Sequence, residues 1–152
     1  FLPGRHAGGG SSSDGAARQN MLSFGTEMGG SGTVTPDCLE HCFNGVVRVL
    51  HELGILNKAM APAAERPTRM MHVPSYDHFT YSFDVGLFEP VVNLGDEVQK
   101  GDLAGRVHFP ETPWQTPADV HFNADGLVVC KRIPGRVERG DCLFHLGADF
   151  EE

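Results

Sequence analysis

A ten-residue pattern occurs twice in the second half of this 152-residue chain. Residues 94–103 (LGDEVQKGDL) align with residues 133–142 (IPGRVERGDC), 39 positions later, and both copies carry a Val and a Gly-Asp pair at the same places. Gly101 and Gly140 are predicted to adopt backbone conformations closed to larger residues, and the aspartate after each is predicted to cap the turn. The repeat therefore predicts two similar half-units, residues 94–107 and 133–146.

Short apolar runs separated by turn residues surround this repeat and predict an antiparallel β module over residues 70–152. The 19 glycines and 10 prolines of the chain favour turns and short strands over long helices. Two such half-motifs are typical of a barrel-sandwich hybrid, the architecture of biotinyl and lipoyl carrier domains. A carrier needs a lysine between the halves, and residues 109–125 contain none, so no covalent cofactor is predicted. The predicted strands are 79–83, 86–92, 103–107, 126–130 and 142–146.

The first part of the chain has a different pattern. Residues 1–19 are rich in glycine and serine and are predicted to be flexible, with a helical turn over residues 16–19. Residues 20–57 predict a strand over 21–26, a glycine turn and a helix from Pro36 to about Leu53. The apolar residues of that helix gather on one side, which predicts packing on a sheet. Residues 58–69, rich in alanine and proline, are predicted to be a linker. The predicted apolar side comprises Cys38, Leu39, Cys42, Phe43, Val46, Val49, Leu50 and Leu53.

Charge and composition exclude several classes of protein. A formal net charge of -8 and scattered basic residues argue against nucleic-acid binding. No apolar stretch approaches the roughly 18 to 20 residues that span a bilayer. Four cysteines without a Cys-x-x-Cys pair predict reduced thiols and a cytoplasmic protein. Because the chain opens at Phe1 into low-complexity sequence, it is interpreted as a fragment of a longer protein.

Glu27 is the predicted catalytic residue. It follows a short apolar run and opens directly into a glycine-rich turn, an arrangement in which α/β enzymes present a general base. Gly29, Gly30 and Gly32 are predicted to leave room for a substrate. The alternative interpretation is a solvated glutamate at the edge of a loop.

The other polar candidates are interpreted as structural. Cys38 and Cys42 lie on the apolar side of the predicted helix, so they are predicted to pack in a core, and no metal ligand is assigned. Trp114 is predicted to cover one end of the β module, with a contact to another subunit as the alternative. The five histidines of the β module, of which the first two lie nearest the junction, are predicted to be surface residues or to have hydrogen-bonding partners: His72, His78, His108, His121 and His145. Turn capping rather than catalysis is predicted for Asp96, Asp102 and Asp141.

Five segments in order resemble the succinylglutamate desuccinylase/aspartoacylase family, in its N-acetyl-diaminobutyrate deacetylase-like branch. The resemblance runs from Ser12 nearly to the end of the chain and concerns the C-terminal portion of that family. The segments are residues 25–32, 45–56, 86–103, 125–129 and 134–142.

The resemblance implies a zinc-dependent amidohydrolase that removes an acyl group from a small N-acyl amino acid. The fold it implies is α+β: a strand-turn-helix remnant of a carboxypeptidase-like α/β domain, then a mainly antiparallel β module. A glutamate in the position of Glu27 would activate zinc-bound water. The family's His-x-x-Glu metal pair does not precede Glu27, so this chain alone is expected to bind no zinc and to be inactive. The alternative is a non-catalytic β-sandwich binding or assembly module, and a homo-oligomer through the β module is the candidate protein contact.

Overall fold

The computed structural model describes residues 12–23, 25, 28–30, 33–63 and 67–150, which divide into two compact units between Thr68 and Arg69. This boundary falls inside the segment 58–69 that was predicted as a linker. The first unit is helical in its described part, and the second consists of antiparallel strands. The predicted change from helix to strand along the chain is therefore confirmed.

Helix α1 spans Ser12–Arg18, inside the segment predicted to be flexible. The backbone N–H groups of Gln19 and Met21 both donate to the carbonyl of Ala16, at 3.0 and 2.9 Å, and close the helix. Asn20 has a φ of 54°, a left-handed conformation that often ends helices. The helical turn predicted over residues 16–19 overlaps the end of this helix, because Ala16 and Arg18 favour helix, whereas the glycine and serine content before them hid its start.

Helix α2 spans Pro36–Glu52, within one residue of the prediction. Thr35 is its N-cap and accepts a hydrogen bond from the backbone N–H of Cys38 at 3.3 Å. Gly54 follows the helix with a φ of 70°, and its N–H donates to the carbonyl of His51 at 2.9 Å. No helix in the described part of the chain has the length and apolar character needed to cross a bilayer.

The predicted packing of α2 on a sheet differs from what the structure shows. Leu39, Phe43 and Leu53 are more than half exposed, and Val47 is the one buried hydrophobic residue among those described in α2. The predicted strand 21–26 is not formed at residues 21–23 and 25, while residues 24 and 26 lie outside the described part. A single strand has no hydrogen-bonding neighbour in this unit, since its described part contains no other strand.

The second unit contains nine strands in its described residues, and all five predicted strands are among them. The four that the sequence did not indicate are only two to four residues long, too short to leave a recognisable alternation. A short 3-10 turn, Tyr76–His78, precedes the second strand. The strands are β1 Met71–His72, β2 Phe79–Tyr81, β3 Gly86–Pro90, β4 Glu97–Val98, β5 Leu103–His108, β6 Ala118–His121, β7 Gly126–Lys131, β8 Arg136–Val137 and β9 Cys142–Asp149.

Two antiparallel sheets form this unit. One has the order β1-β9-β7-β4, with β2 also paired to β9, and the other has the order β6-β5-β3-β8. The mainly antiparallel β module is thus confirmed, whereas the pairing of the described strands closes no barrel. Eleven buried side chains form one core: Phe88, Val98, Ala104, Val107, Val120, Phe122, Val128, Val137, Leu143, Phe144 and Leu146.

The repeat extends to four strands in each half. Strands β2 to β5 have the same pairing pattern as β6 to β9, about 40 positions later, and each half contributes two short strands that pair with the other half. Gly86 of β3 pairs with Val137 of β8, and Gly126 of β7 pairs with Val98 of β4. The halves are therefore interlocked and share one core, because the two paired valines, Val137 and Val98, are buried, at 0% and 7% exposure.

The turn chemistry predicted for the repeat is confirmed. Gly101 and Gly140 have φ values of 92° and 90°, which favour glycine. Asp102 accepts a hydrogen bond from the backbone N–H of Gln99, and Asp141 accepts one from that of Glu138, both at 2.8 Å. Asp96 caps its own turn in the same way. These aspartates therefore have structural roles.

Candidate functional site

The glycine turn before α2 is the part of the predicted site that the structure describes. Gly29 has a φ of 141°, and a Cβ atom on it would lie 2.3 Å from the carbonyl oxygen of Thr33. The backbone N–H and the hydroxyl of Thr33 both donate to the carbonyl of Gly30, at 3.0 and 2.6 Å. The turn therefore needs glycine at position 29 for its own geometry.

The space around Gly30 differs from that around Gly29. No atom of the described residues would lie within 4 Å of a Cβ atom on Gly30, so this part of the chain leaves space open at this point of the turn. Its role in leaving room for a substrate stays a prediction. Glu27 and Gly32 lie outside the described residues, so their predicted roles also stay predictions.

The described residues offer no group of three or more His, Cys, Asp or Glu side chains that could hold a metal ion. Cys38 and Cys42 are free thiols, half-buried on α2, and His41 beside them is exposed. A zinc site needs at least three protein ligands. The side chains in this part of the chain therefore do not fit the zinc that the family resemblance implies.

The described histidines of the β unit have partners within it. His108 Nε2 lies 2.6 Å from a carboxylate oxygen of Glu89, and His121 Nδ1 lies 3.0 Å from the carbonyl of Gly101. The ring of His72 makes an edge contact with Phe150. His78 Nδ1 lies 3.1 Å from the Ser75 hydroxyl, and the ring of His145 makes an edge contact with Phe79. The prediction of a surface position or a hydrogen-bonding partner is confirmed for His78, His108 and His121, whereas the half-buried His72 and His145 are shown only with ring contacts.

An ion pair between Arg69 and Asp149 joins the two ends of the β unit. Arg69 Nε and Nη2 donate to the two carboxylate oxygens of Asp149, at 2.6 and 2.9 Å. Through this hydrogen bond the guanidinium lowers the pKa of the Asp149 carboxyl, and the carboxylate raises the pKa of Arg69. Since both groups are exposed, we expect the pair to set the register of β1 on β9 more than to stabilise the fold. The sequence could not indicate this pair, whose members are 80 positions apart.

A second ion pair joins Arg132 to Asp141 of the repeat. The guanidinium lies 2.9 Å from the carboxylate, and the two side chains are 23% and 30% exposed. Arg132 Nε has no hydrogen-bond partner within the described part of the chain. Asp102 is the equivalent residue in the first half of the repeat, and it also caps its turn. Among the described residues, Asp102 forms no ion pair with an arginine.

We predict that Asp141→Ala destabilises the β unit more than Asp102→Ala does. Each substitution removes one turn hydrogen bond, worth about 1 kcal/mol, but only Asp141→Ala also removes the carboxylate partner of a half-buried arginine, which we expect to add roughly 1–2 kcal/mol. Urea denaturation followed by circular dichroism measures both. Equal decreases in the free energy of unfolding of the two variants would show that the ion pair between Arg132 and Asp141 does not stabilise the fold.

Burial lowers the pKa of His145 below its ordinary value of 6.5. Its ring lies against Phe79 in β2, with the ring centroids 4.4 Å apart. Burial also raises the pKa of the Cys142 thiol, which lies in β9 together with His145. Both groups are thus kept neutral by their surroundings.

This burial of His145 predicts a pH dependence of stability. The unfolded chain binds the proton more readily than the folded chain, so the folding contribution of neutral His145 is present above pH 6.5 and is lost as the pH falls below that value. Between about pH 7 and pH 5 the free energy of unfolding should decline less in His145→Gln than in the unchanged protein. Denaturation curves across this range test the difference, and curves at about pH 8 give the reference. Parallel declines would contradict the assignment.

Trp114 does not cover an end of the β unit, and the prediction that it does so is wrong. Its side chain is 82% exposed. The turn that carries it is held by the backbone N–H of Gln115, which donates to the carbonyl of Thr112 at 2.8 Å. This hydrogen bond stabilises the turn while leaving the indole in solvent.

Several known proteins resemble this chain in sequence and in fold. The chain is 29% identical over 126 residues to N-α-acetyl-L-2,4-diaminobutyric acid deacetylase of Halomonas elongata, which covers 83% of this chain and 36% of that protein. A solved succinylglutamate desuccinylase/aspartoacylase from Rhodobacter sphaeroides has 31% identity and a TM-score of 0.85 over 92% of this chain and 44% of its own. The product-bound ectoine utilization protein EutE (DoeB) of Ruegeria pomeroyi has 30% identity and a TM-score of 0.84, over 91% and 41%.

No family model matches the chain. It spans less than half the length of each of these three relatives. The resemblance predicted from the sequence is nevertheless confirmed: over most of its length, this chain matches the C-terminal portion of proteins of the succinylglutamate desuccinylase/aspartoacylase family.

Proposed function

We propose that this chain forms the C-terminal part of a zinc-dependent amidohydrolase that removes the acyl group from an N-acyl amino acid. The observation that supports it most is the 29% identity over 126 residues to a protein named as a deacetylase of an acetylated amino acid. Two solved structures that share 30–31% identity and most of the fold support the same class.

Glu27 is the proposed general base. Its carboxylate would accept a proton from water as the water oxygen bonds to the acyl carbon, and would then give the proton to the departing amine nitrogen as the carbon–nitrogen bond breaks. The products are a carboxylic acid and a free amine. The turn that begins at Gly29, two residues after Glu27, has open space at Gly30 among the described residues and would admit the acyl group.

Zinc enters this proposal through the family resemblance. The described side chains hold no ligand set for it, so we assign its ligands to no residue here, and the proton steps above depend on Glu27 alone. A cytoplasmic location belongs to the same proposal, supported by four cysteines that are all free thiols.

The proposal is tested by assaying the protein as its gene encodes it, supplied with zinc. The probes are Nα-acetyl-2,4-diaminobutyrate and N-succinylglutamate, the compounds that give the relatives their names. We expect release of free amine from at least one of them, measured with an amine-reactive dye. A folded protein that releases no amine from either would overturn the proposal and favour the non-catalytic binding or assembly module.

A further inference from the structure

A short segment, residues 69–72, lies along the end of β9 in the β unit. It contains β1 and begins directly after the boundary between Thr68 and Arg69 that divides the chain into its two units. β1 pairs with residues 148–149, the last two residues of β9. We call residues 69–72 the strap.

The repeated fold forms without a strap in its first half. Strand β5 is six residues long and β9 is eight. The 39-residue offset of the repeat matches β5 to residues 142–147 of β9. The two residues left over, 148–149, are those that pair with β1. This extension of β9 therefore belongs to the strap and not to the repeated core.

Gly147 makes room for the strap. A Cβ atom at this position would lie 3.2 Å from Cε of Met71 and 3.0 Å from Cγ1 of Val129. The first half of the repeat has His108 at the equivalent position, 39 residues earlier, so a side chain is compatible with this place in the strand. The glycine of the second half thus leaves space that Met71 of the strap occupies.

Polar contacts near the surface hold the first residues of the strap. Besides its two hydrogen bonds to Asp149, Arg69 has a nitrogen 3.9 Å from a carboxylate oxygen of Glu97. The backbone N–H of Phe150 donates to the carbonyl of Met70 at 2.9 Å. The side chains of Arg69 and Asp149 are 50% and 59% exposed, so water and salt reach the ion pair. Segments held by exposed contacts and little buried apolar surface open at a lower free energy than the core of a domain.

We propose that the strap opens and closes on β9 while the rest of the β unit stays folded, with the ion pair between Arg69 and Asp149 as its latch. Opening frees residues 69–72, on the order of 14 Å of extended chain, and so lengthens the connection that precedes the β unit. Salt screens an exposed ion pair, so higher ionic strength favours the open strap. The strap does not depend on the role of Glu27.

Hydrogen exchange of the Phe150 amide measures the opening, because its hydrogen bond to the carbonyl of Met70 exists only while the strap is closed. The amide of the buried Phe122 donates to the carbonyl of Asp102 at 3.0 Å and reports on the core. NMR of the ¹⁵N-labelled 152-residue chain follows both amides. Relative to the rates of unstructured peptides, we expect Phe150 to exchange at least about a hundredfold faster than Phe122.

Asp149→Asn removes the latch with little change in the size of the side chain. We expect it to speed the exchange of Phe150 about threefold to fivefold and to leave that of Phe122 unchanged. Asp119→Asn is the matched control, since it removes the same charge and breaks an exposed ion pair with Arg106, but lies on β6 in the other sheet. Raising the NaCl concentration from about 0.05 to 0.5 M should speed the exchange of Phe150 in the unchanged protein and have little effect in Asp149→Asn.

A double-mutant cycle assigns the effect to the ion pair itself. In the Arg69→Gln background, Asp149→Asn should change the exchange of Phe150 less than about 1.5-fold, because the pair is already broken. Equal protection of Phe150 and Phe122 would overturn the proposal, since the strap would then open only when the whole β unit unfolds. So would an effect of Asp149→Asn no larger than that of Asp119→Asn, or effects of the two latch substitutions that multiply. Circular dichroism of each variant confirms that it is folded.

Discussion

The Glu27→Gln protein is expected to lose about 10²- to 10⁴-fold in kcat for hydrolysis of Nα-acetyl-2,4-diaminobutyrate, with KM changed little. Glutamine has nearly the size and shape of glutamate, but its amide cannot accept the proton of the attacking water. The binding surface stays the same, so the loss falls on the chemical step. The assay uses the protein as its gene encodes it, with amine release measured at saturating substrate.

Glu40→Gln is the matched control for this prediction. Glu40 lies exposed on α2, so the substitution removes one negative charge without touching the turn at Gly29 and Gly30. We expect its kcat to stay within about twofold of the unchanged protein. If Glu27→Gln also kept its turnover, Glu27 would be the solvated loop-edge glutamate of the alternative interpretation.

Gly86→Ala is expected to lower the free energy of unfolding of the β unit by about 3 kcal/mol. An added Cβ would lie 2.2 Å from the carbonyl oxygen of His108 and 2.8 Å from a methyl carbon of Val107. Strand β3 cannot move away because it is hydrogen-bonded to β5 on one side and to β8 on the other. The backbone of β3 or β5 must therefore be distorted, which urea denaturation measures directly.

Gly135→Ala provides the control for Gly86→Ala. A Cβ at position 135 would have no neighbour within 4 Å, and Gly135 does not have a left-handed φ. Its substitution should change stability by less than about 0.5 kcal/mol. Gly126→Ala, at the equivalent place in the second half, should again destabilise, because its Cβ would lie 2.9 Å from the carbonyl of Gly147. Equal effects of Gly86→Ala and Gly135→Ala would contradict the close approach of β3 and β5.

Features that depend on neighbours in the chain could be predicted closely. The N-cap Thr35, the helix stop at Gly54 and the turn aspartates act within three or four residues, and the structure confirms each of them. The five strands indicated by apolar runs of five or more residues were also found, although β2 itself has only three residues, because alternation over such a run is a local pattern. A ten-residue repeat was enough to predict that the two halves resemble each other.

Features that depend on distant residues could not be predicted. The pairing of β3 with β8 and of β7 with β4 joins the two halves, and the Arg69–Asp149 pair joins residues 80 positions apart. Trp114 shows the same limit, because composition does not reveal whether a large apolar side chain finds a cavity to fill. The apolar side of α2 is another case, since amphipathicity predicts a covered face but not what covers it.

The sequence by itself determined the helix α2 with its caps, the longer strands, the repeated turns and the family resemblance, because each depends on short-range patterns or on their order along the chain. Only the tertiary structure decided that the two halves exchange short strands around one core, that Gly86 has no room for a side chain, and that β1 pairs with the end of β9. The physical reason is that burial and close contact are set by which distant backbone segments meet.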